Sequence, residues 1–278
     1  MDMYGKIRGY LASLAELERS PHTVEQYKRE LLRLAEYAGG SPVTKELLVD
    51  YKRRLTERFA PSSVNSMIAA VNGFLGYIKR GDLRLKRLKI QRRAFLPEER
   101  ELTRGEYKRL VAAAEHTDKR LSLILQTICA TGIRVSELRF ITAEAVRTGR
   151  APIYCKGKSR VVFLPDKLRK ILSNYIGARG ITSGAVFVSR GGNPLDRSNV
   201  WREMKKLCGA AGVARGKVFP HNLRHLFART YYSMEKDLSR LADFLGHSSV
   251  NTTRIYTMES GREHARQINR LGLVLNST

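Results

Sequence analysis

Residues 151–165 read APIYCKGKSRVVFLP, and the kind of fold open to this chain turns on that stretch. Apolar and β-branched residues alternate on both sides of a Lys-Gly-Lys-Ser centre, Lys156 to Ser159. Period-2 alternation broken by a short turn predicts a β-hairpin with Lys156 at or beside the turn. Around it the periodicity is helical. A helix is expected over Asp166–Ile176, then a short strand over Val186–Val188, a turn at GGNP, and a further helix; from His221 onward the pattern is helical again. The expected class is mainly α with a small β-sheet, an α+β fold.

Upstream, the first 80 residues read as helices divided by turn signals. Ile7, Tyr10, Leu11, Leu14 and Leu17 form one apolar face. In SPHTVEQYKRELLRLAEYAGG, residues 20–40, Ser20 is an N-cap, Pro21 occupies the first helical position, and Gly39-Gly40 is the stop. Val24, Tyr27, Leu31, Leu34 and Ala35 recur at helical spacing inside it. Two more helices carry Leu48, Tyr51, Leu55 and Phe59, then Val64, Ile68, Val71, Leu75 and Ile78. From Lys79 to Arg93 there are eight basic residues and one acid, with little helical periodicity. That run is either a solvated connector or a strap along phosphates, and the second reading is preferred. Thr103 and Glu106 then form a capping box that opens the next helix. The resulting division is a helical domain over residues 1–85, a basic linker over 86–100, and a larger domain over 101–278 with a tail segment at 257–278.

The 278 residues include 51 Lys and Arg against 26 Asp and Glu, a net charge of +25. Such an excess repels itself in a compact monomer and calls for a polyanion as partner. Duplex DNA, with roughly one negative charge per 1.7 Å of axis, fits best. A membrane is disfavoured because no stretch approaches the ~20 apolar residues of a spanning helix, and the expected location is the cytoplasm. Cys129, Cys155 and Cys208 are odd in number and form no CxxC pair. They support neither a disulfide framework nor a zinc site.

Four stretches contain residues suited to chemistry. They are ATGIRVSEL with Arg134, CKGKSR with Lys156, HNLRH with His221, Arg224 and His225, and LGHSSVNTTRIYT with His247 and Tyr256. Taken singly, each has an ordinary reading: an Arg134–Glu137 surface pair at i, i+3, a solvated turn lysine, a core or interface tyrosine. His221 and His225 at i, i+4 could ligate a metal, but Asn222 stands where zinc-binding helices place glutamate and no third ligand is apparent. Together the residues suit a metal-free attack on a phosphodiester. Guanidinium forks bind non-bridging oxygens and neutralise charge on pentavalent phosphorus. A tyrosine, with an ordinary pKa near ~10, needs that cationic field and a base to become a nucleophile. A lysine can protonate the leaving 5′-hydroxyl as general acid.

The same four stretches resemble the catalytic domain of the tyrosine recombinases, the lambda-integrase-like enzymes that include bacterial Xer proteins and mobile-element integrases. The resemblance lies in the Arg of ATG-aliphatic-R-x-SEL, the hairpin Lys, H-x-L-R-H, LGH, and a Tyr nine residues after that His. SPHTVEQYKRELLRLAEY looks like the family's N-terminal core-binding, SAM-like helical domain. The resemblance implies a C-shaped clamp on duplex DNA, two protomers per core site and four per synapse, and cleavage through a 3′-phosphotyrosine without metal or nucleotide cofactor. It assigns Arg134 and Arg224 to the scissile phosphate, Lys156 to the leaving oxygen, and Tyr256 to nucleophilic attack. His221 would bond the phosphate or assist proton transfer, His247 would donate to a phosphate oxygen, Glu137 would orient Arg134, and His225 would support from behind. Where the family often has GKGNKER this chain has CKGKSR, one residue shorter, so Lys158 competes with Lys156. The tail is expected to dock on a neighbouring protomer, with folding onto its own domain as the alternative. Integration or excision of a mobile element is preferred over Xer-like resolution of replicon multimers. A type IB topoisomerase and a DNA-binding regulator without chemistry are the rival functions.

Overall fold

The computed structural model describes residues 3–90, 101–155, 158–189, 191–247, 249–253 and 269–271. Lys156, Tyr256 and nearly all of the tail segment lie outside the described residues. Two compact units emerge, Met1–Arg92 and Arg93–Thr278.

The first unit is built from α1 (Met3–Glu16), α2 (Pro21–Ala38), α3 (Lys45–Arg58) and α4 (Pro61–Tyr77). Local chemistry sets the ends of α2: the Ser20 hydroxyl accepts from the Thr23 amide, and Gly39 closes the helix at φ 57°. Leu31, Leu34, Leu48, Ile68, Phe74 and Leu75 are fully buried at its centre. Two residues of the expected apolar faces fall outside it. Leu17 is 67% exposed because α1 ends at Glu16, and Phe59 is the C-cap of α3, where it lies under the Arg33 guanidinium. Glu30, on the buried side of α2, is held by Arg33 at 2.5 Å.

The basic run after α4 is tied to this unit through residue 88. Asn72 brackets Leu85, donating to its carbonyl at 2.9 Å and accepting from its amide at 2.8 Å. Asn65, two turns earlier on α4, does the same to Leu88 at 3.0 and 2.8 Å. Each asparagine side chain thus imitates a strand neighbour and satisfies both backbone groups of an extended residue. Lys45 donates to the carbonyls of Leu83 and Arg84, and Lys52 to that of Lys86. Leu83 and Leu85 are buried, while Arg84, Lys86, Arg87 and Lys89 are exposed. A segment read from composition as connector or strap therefore has its near half fixed in register on α4, with its cations outward.

In the second unit α5 (Arg104–Thr117) opens with the expected capping box of Thr103 and Glu106. It is followed by α6 (Lys119–Thr131), a 3₁₀ turn (Val135–Phe140) and α7 (Ala143–Thr148). The antiparallel ribbon comes next, β1 (Arg150–Cys155) and β2 (Lys158–Phe163), in the register Cys155 opposite Lys158 through Arg150 opposite Phe163. Its inward residues Ala151, Ile153 and Val162 join the core, and Tyr154, Val161 and Phe163 face out. α8 (Asp166–Arg179), α9 (Arg197–Ala211), α10 (Pro220–Glu235), α11 (Leu238–Leu245) and α12 (Val250–Thr253) complete the described elements. The expected strand over Val186–Val188 is instead a pair of isolated bridges, Thr142 with Ala185 and Val188 with Pro194. It passes through the core with Val186 and Phe187 buried, but among the described residues no ladder extends on either side. Among the described residues no helix is long and apolar enough to cross a membrane.

The asparagine brackets have a direct readout in hydrogen exchange. In the intact chain the Leu85 and Leu88 amides should be protected, and Asn65→Ala with Asn72→Ala should speed exchange across residues 84–90 while α2 to α4 keep their protection. Equal exchange of this segment in wild type and double variant would refute the bracketing.

Candidate active site

Arg224 is the largest of the fully buried side chains among the described residues, 1% exposed. It projects from the buried face of α10 to two helix ends. Nη1 donates to the Gly132 carbonyl and Nη2 to the Leu245 carbonyl, each at 2.7 Å. Gly132 caps α6 and Leu245 is the last residue of α11, so the guanidinium satisfies backbone acceptors that a helix terminus leaves open. The negative end of each helix dipole favours a cation there. These carbonyls orient the guanidinium without cancelling its charge.

The glycines of ATG and LGH make this approach possible. Gly132 has φ +66°, and a Cβ built there would meet the Phe227 ring at 2.4 Å. Gly246 has φ +63°, and its Cβ would lie 2.8 Å from Arg160 Nη1. Both positions combine left-handed backbone with close packing, so a side chain is excluded twice over.

Immediately after Gly246, His247 accepts the Arg224 Nη2–H at Nε2, 2.9 Å away. Arginine only donates, so the ring proton is assigned to Nδ1, which donates to Thr253 Oγ1 at 2.8 Å. Burial, reinforced by the charges of Arg224, Arg134, Arg160 and His221, pushes the His247 imidazole down to about 4. Two of these cations also reach His221, an exposed residue whose pKa is lowered by partial desolvation, then by Arg224, Arg134 and Arg197. His225 stands edge-on to His221, ring centroids 4.7 Å apart. Desolvation, then His221, Arg229 and Arg224, brings His225 down to about 3. Both His225 and His247 are neutral at physiological pH.

Arg134 is not on an α-helix; it caps the 3₁₀ turn at Val135–Phe140. The i, i+3 pair with Glu137 forms, Nη1 to Oε1 at 2.9 Å, and the Arg134 amide donates to Oε2 at 2.8 Å. A second guanidinium shares this acid. Arg160 of β2 makes a two-pronged pair with Glu137, Nη1 to Oε1 at 3.0 Å and Nη2 to Oε2 at 2.8 Å. Burial of Glu137, 1% exposed, opposes ionisation, but the bonds from Arg160 and Arg134 outweigh it and hold the carboxyl below its ordinary value. Arg134 keeps 39% of its side chain exposed, which leaves it open to an incoming anion.

Four of the six expected residues, Arg134, His221, Arg224 and His247, thus lie within one field of positive charge. Lys156 and Tyr256 lie outside the described residues. Two contributors were not singled out from the sequence. Arg160 could have been suspected from the need of a buried Glu137 for more than one cation, and Thr253 from its place three residues before Tyr256.

Within the second unit, a cationic cluster that anchors one arginine on helix ends and another on a shared acid beside the β-ribbon suits an enzyme that acts on phosphodiesters, and comparison with known proteins gives the class. Residues 100–262 match the phage integrase family and residues 7–81 match the phage integrase N-terminal SAM-like domain. Tyrosine recombinase XerA of Thermococcus kodakarensis is 31% identical over 269 residues, covering 91% of this chain and 92% of its own. Tyrosine recombinase XerD of Xanthomonas campestris pv. campestris is 31% identical over 285 residues, covering 91% and 87%. Among solved structures, a lambda integrase tetramer bound to a Holliday junction matches with TM-score 0.72 at 19% identity, over 91% of this chain and 76% of that one. XerH bound to difH substrate in a pre-cleavage complex matches with TM-score 0.69 at 22% identity, over 88% and 79%. The chain belongs to the phage integrase family, and it is a tyrosine-type site-specific recombinase.

The depressed histidines give the fold a pH dependence. Below the ordinary histidine value of 6.5 the unfolded chain binds protons that folded His225 and His247 refuse until about 3 and about 4. Stability from these groups is therefore complete above about pH 6.5 and drains away on acidification through that window. The thermal midpoint should fall from pH 7 to pH 4, and His225→Gln should make the fall shallower. An equally steep fall in the variant, or an NMR titration of His225 near 6.5, would contradict the assignment.

Proposed function

We propose that this chain cleaves and rejoins duplex DNA at a specific core site through a covalent 3′-phosphotyrosine on Tyr256. The observation that supports this best is the buried Arg224 guanidinium, oriented by two helix carbonyls and bonded to a neutral His247. A scissile phosphate entering beside it would take hydrogen bonds from Arg224 and from the exposed Arg134. Both would strengthen as charge grows on the equatorial oxygens of the pentavalent transition state.

His247 plays a changing part in this sequence. In the free protein its Nε2 is an acceptor, so it cannot donate to phosphate. Once the phosphate oxygen claims the Arg224 Nη2–H, Nε2 is released. The buried Thr253 hydroxyl donates as readily as it accepts, so the ring can carry its proton on Nε2 and donate to the phosphate. Neutral His221 is suited to accept the tyrosyl proton or to bond the phosphate. Lys156, with Lys158 as competitor, protonates the departing 5′-oxygen as Tyr256 attacks phosphorus. The phosphoester energy is kept in the phosphotyrosine bond, and attack by a 5′-hydroxyl from a second duplex regenerates the tyrosine and completes strand exchange.

Clamping by the two units, a dimer at each core site, a tetramer in the synapse, trans docking of residues 257–278 and a cytoplasmic location belong to the same reading. Integration or excision of a mobile element is the first biological role open to such a recombinase, and Xer-like resolution of replicon multimers is the second. Full-length similarity to relatives named XerA and XerD favours the second reading, resolution of replicon multimers.

The test is covalent capture. The full chain, incubated with a randomised library of nicked suicide duplexes and analysed under denaturing conditions, should yield a protein–DNA adduct that Tyr256→Phe lacks entirely. No adduct from wild type, or one that persists in Tyr256→Phe, would defeat the proposal. Arg224→Lys, which loses the fork that spans Gly132 and Leu245, should slow adduct formation at least about 10²-fold.

A further inference from the structure

Arg160 is given no part in the chemistry above, yet it touches three of the four stretches that carry it. It belongs to the CKGKSR hairpin, standing opposite Ile153 in the β1–β2 ladder. Its guanidinium grips the Glu137 that holds both the backbone and side chain of Arg134 in ATGIRVSEL. Its other side packs against Gly246 of LGH so closely that no Cβ fits between them. Only 15% of the side chain is exposed.

We propose that Arg160 is a positioning residue that locks the β1–β2 hairpin to the Arg134 turn and the Gly246–His247 turn, holding the hairpin lysine in one frame with the phosphate-binding arginine. This rests on the reading of the site given under Proposed function. Each contact has a reason to be arginine. The planar fork matches both carboxylate oxygens at once, which fixes orientation as well as distance. Its flat face allows the Gly246 backbone to approach. A lysine would supply the charge through a single point and fix the distance to Glu137 without fixing the hairpin's orientation about it.

The coupling has direction. Lys158 stands two residues and Lys156 four residues before Arg160 along the chain, so any rotation of β2 about the Glu137 anchor is carried to the hairpin tip. Arg134 keeps its own two bonds to Glu137 if Arg160 is lost. Loss of Arg160 should therefore displace the general acid more than the phosphate ligand. Charge deletion alone would instead weaken phosphate contact and leave the leaving-group step no more affected than any other.

The experiment uses the full chain and a suicide duplex recovered by covalent capture on wild type, in two forms, with an ordinary 5′-oxygen or a 5′-phosphorothiolate leaving group. The thiolate leaves without protonation, so it bypasses the lysine. Arg160→Lys should cleave the oxygen substrate about 10²-fold more slowly than wild type, the scale of a lost general acid, with little change in duplex affinity. The sulphur substrate should restore the rate to within a few-fold of wild type. Arg160→Gln, which also loses the two-pronged fork on Glu137, should repeat the pattern. Wild-type rates on the oxygen substrate in either variant, or equal slowing on both substrates, would overturn the proposal; the second result would mean that Arg160 acts only through Arg134. Absence of any captured duplex with wild type would instead overturn the recombinase chemistry itself, a distinguishable failure.

Discussion

A guanidinium buried between the carbonyl ends of two helices is the constraint around which the second unit is organised. Removing a charge from water is costly unless its hydrogen bonds are replaced, and Arg224 finds replacements in Gly132 and Leu245. Those acceptors exist only because α6 and α11 both stop at a glycine, which turns their last carbonyls toward the same point. The fold thereby pins together helices whose sequences lie about a hundred residues apart. It does so with neutral acceptors, which orient the guanidinium without spending its charge.

Glu137 handles the opposite problem. It is a buried acid of the cluster, and it meets two arginines, one of which keeps part of its side chain in solvent. The second, Arg160, takes both carboxylate oxygens and lets Arg134 remain partly open. Together the two arrangements explain how a chain with a net charge of +25 can gather several cationic groups in a small volume. Each is tied to backbone or to a shared acid, and the nearby histidines respond by staying neutral. Electrostatic preorganisation of this kind leaves the guanidinium groups themselves little to reorganise when an anion arrives.

Local signals carried much of this in the sequence. The hairpin was legible because alternation around Lys-Gly-Lys-Ser is a period-2 pattern with a turn in it, and the ladder register follows directly. The Ser20 cap and the Thr103–Glu106 box were legible because caps are chemistry between residues three apart. Errors arose where an element ended one residue early, as at Leu17 and Phe59, or where a buried apolar run, Val186–Val188, lacked a neighbour long enough to pair with. Three features needed the folded chain. The asparagine brackets join residues 13 and 23 positions apart, Arg160 meets Glu137 across 23 positions, and Arg224 reaches Gly132 across 92. None leaves a periodic trace. What groups Arg134, His221, Arg224 and His247 at the level of sequence is the resemblance of their four motifs to one catalytic domain, since none of the four motifs alone implies the others.

The most direct measurement is a crystal structure of the Tyr256→Phe chain on an uncleaved duplex recovered by covalent capture. One phosphate should accept hydrogen bonds from both Arg134 and Arg224, with His247 Nε2 turned from acceptor to donor on the same group and the hairpin lysine beside the 5′-bridging oxygen. A duplex bound with its nearest phosphate out of reach of Arg224, or with Arg134 engaged by Glu137 alone, would contradict the proposed chemistry.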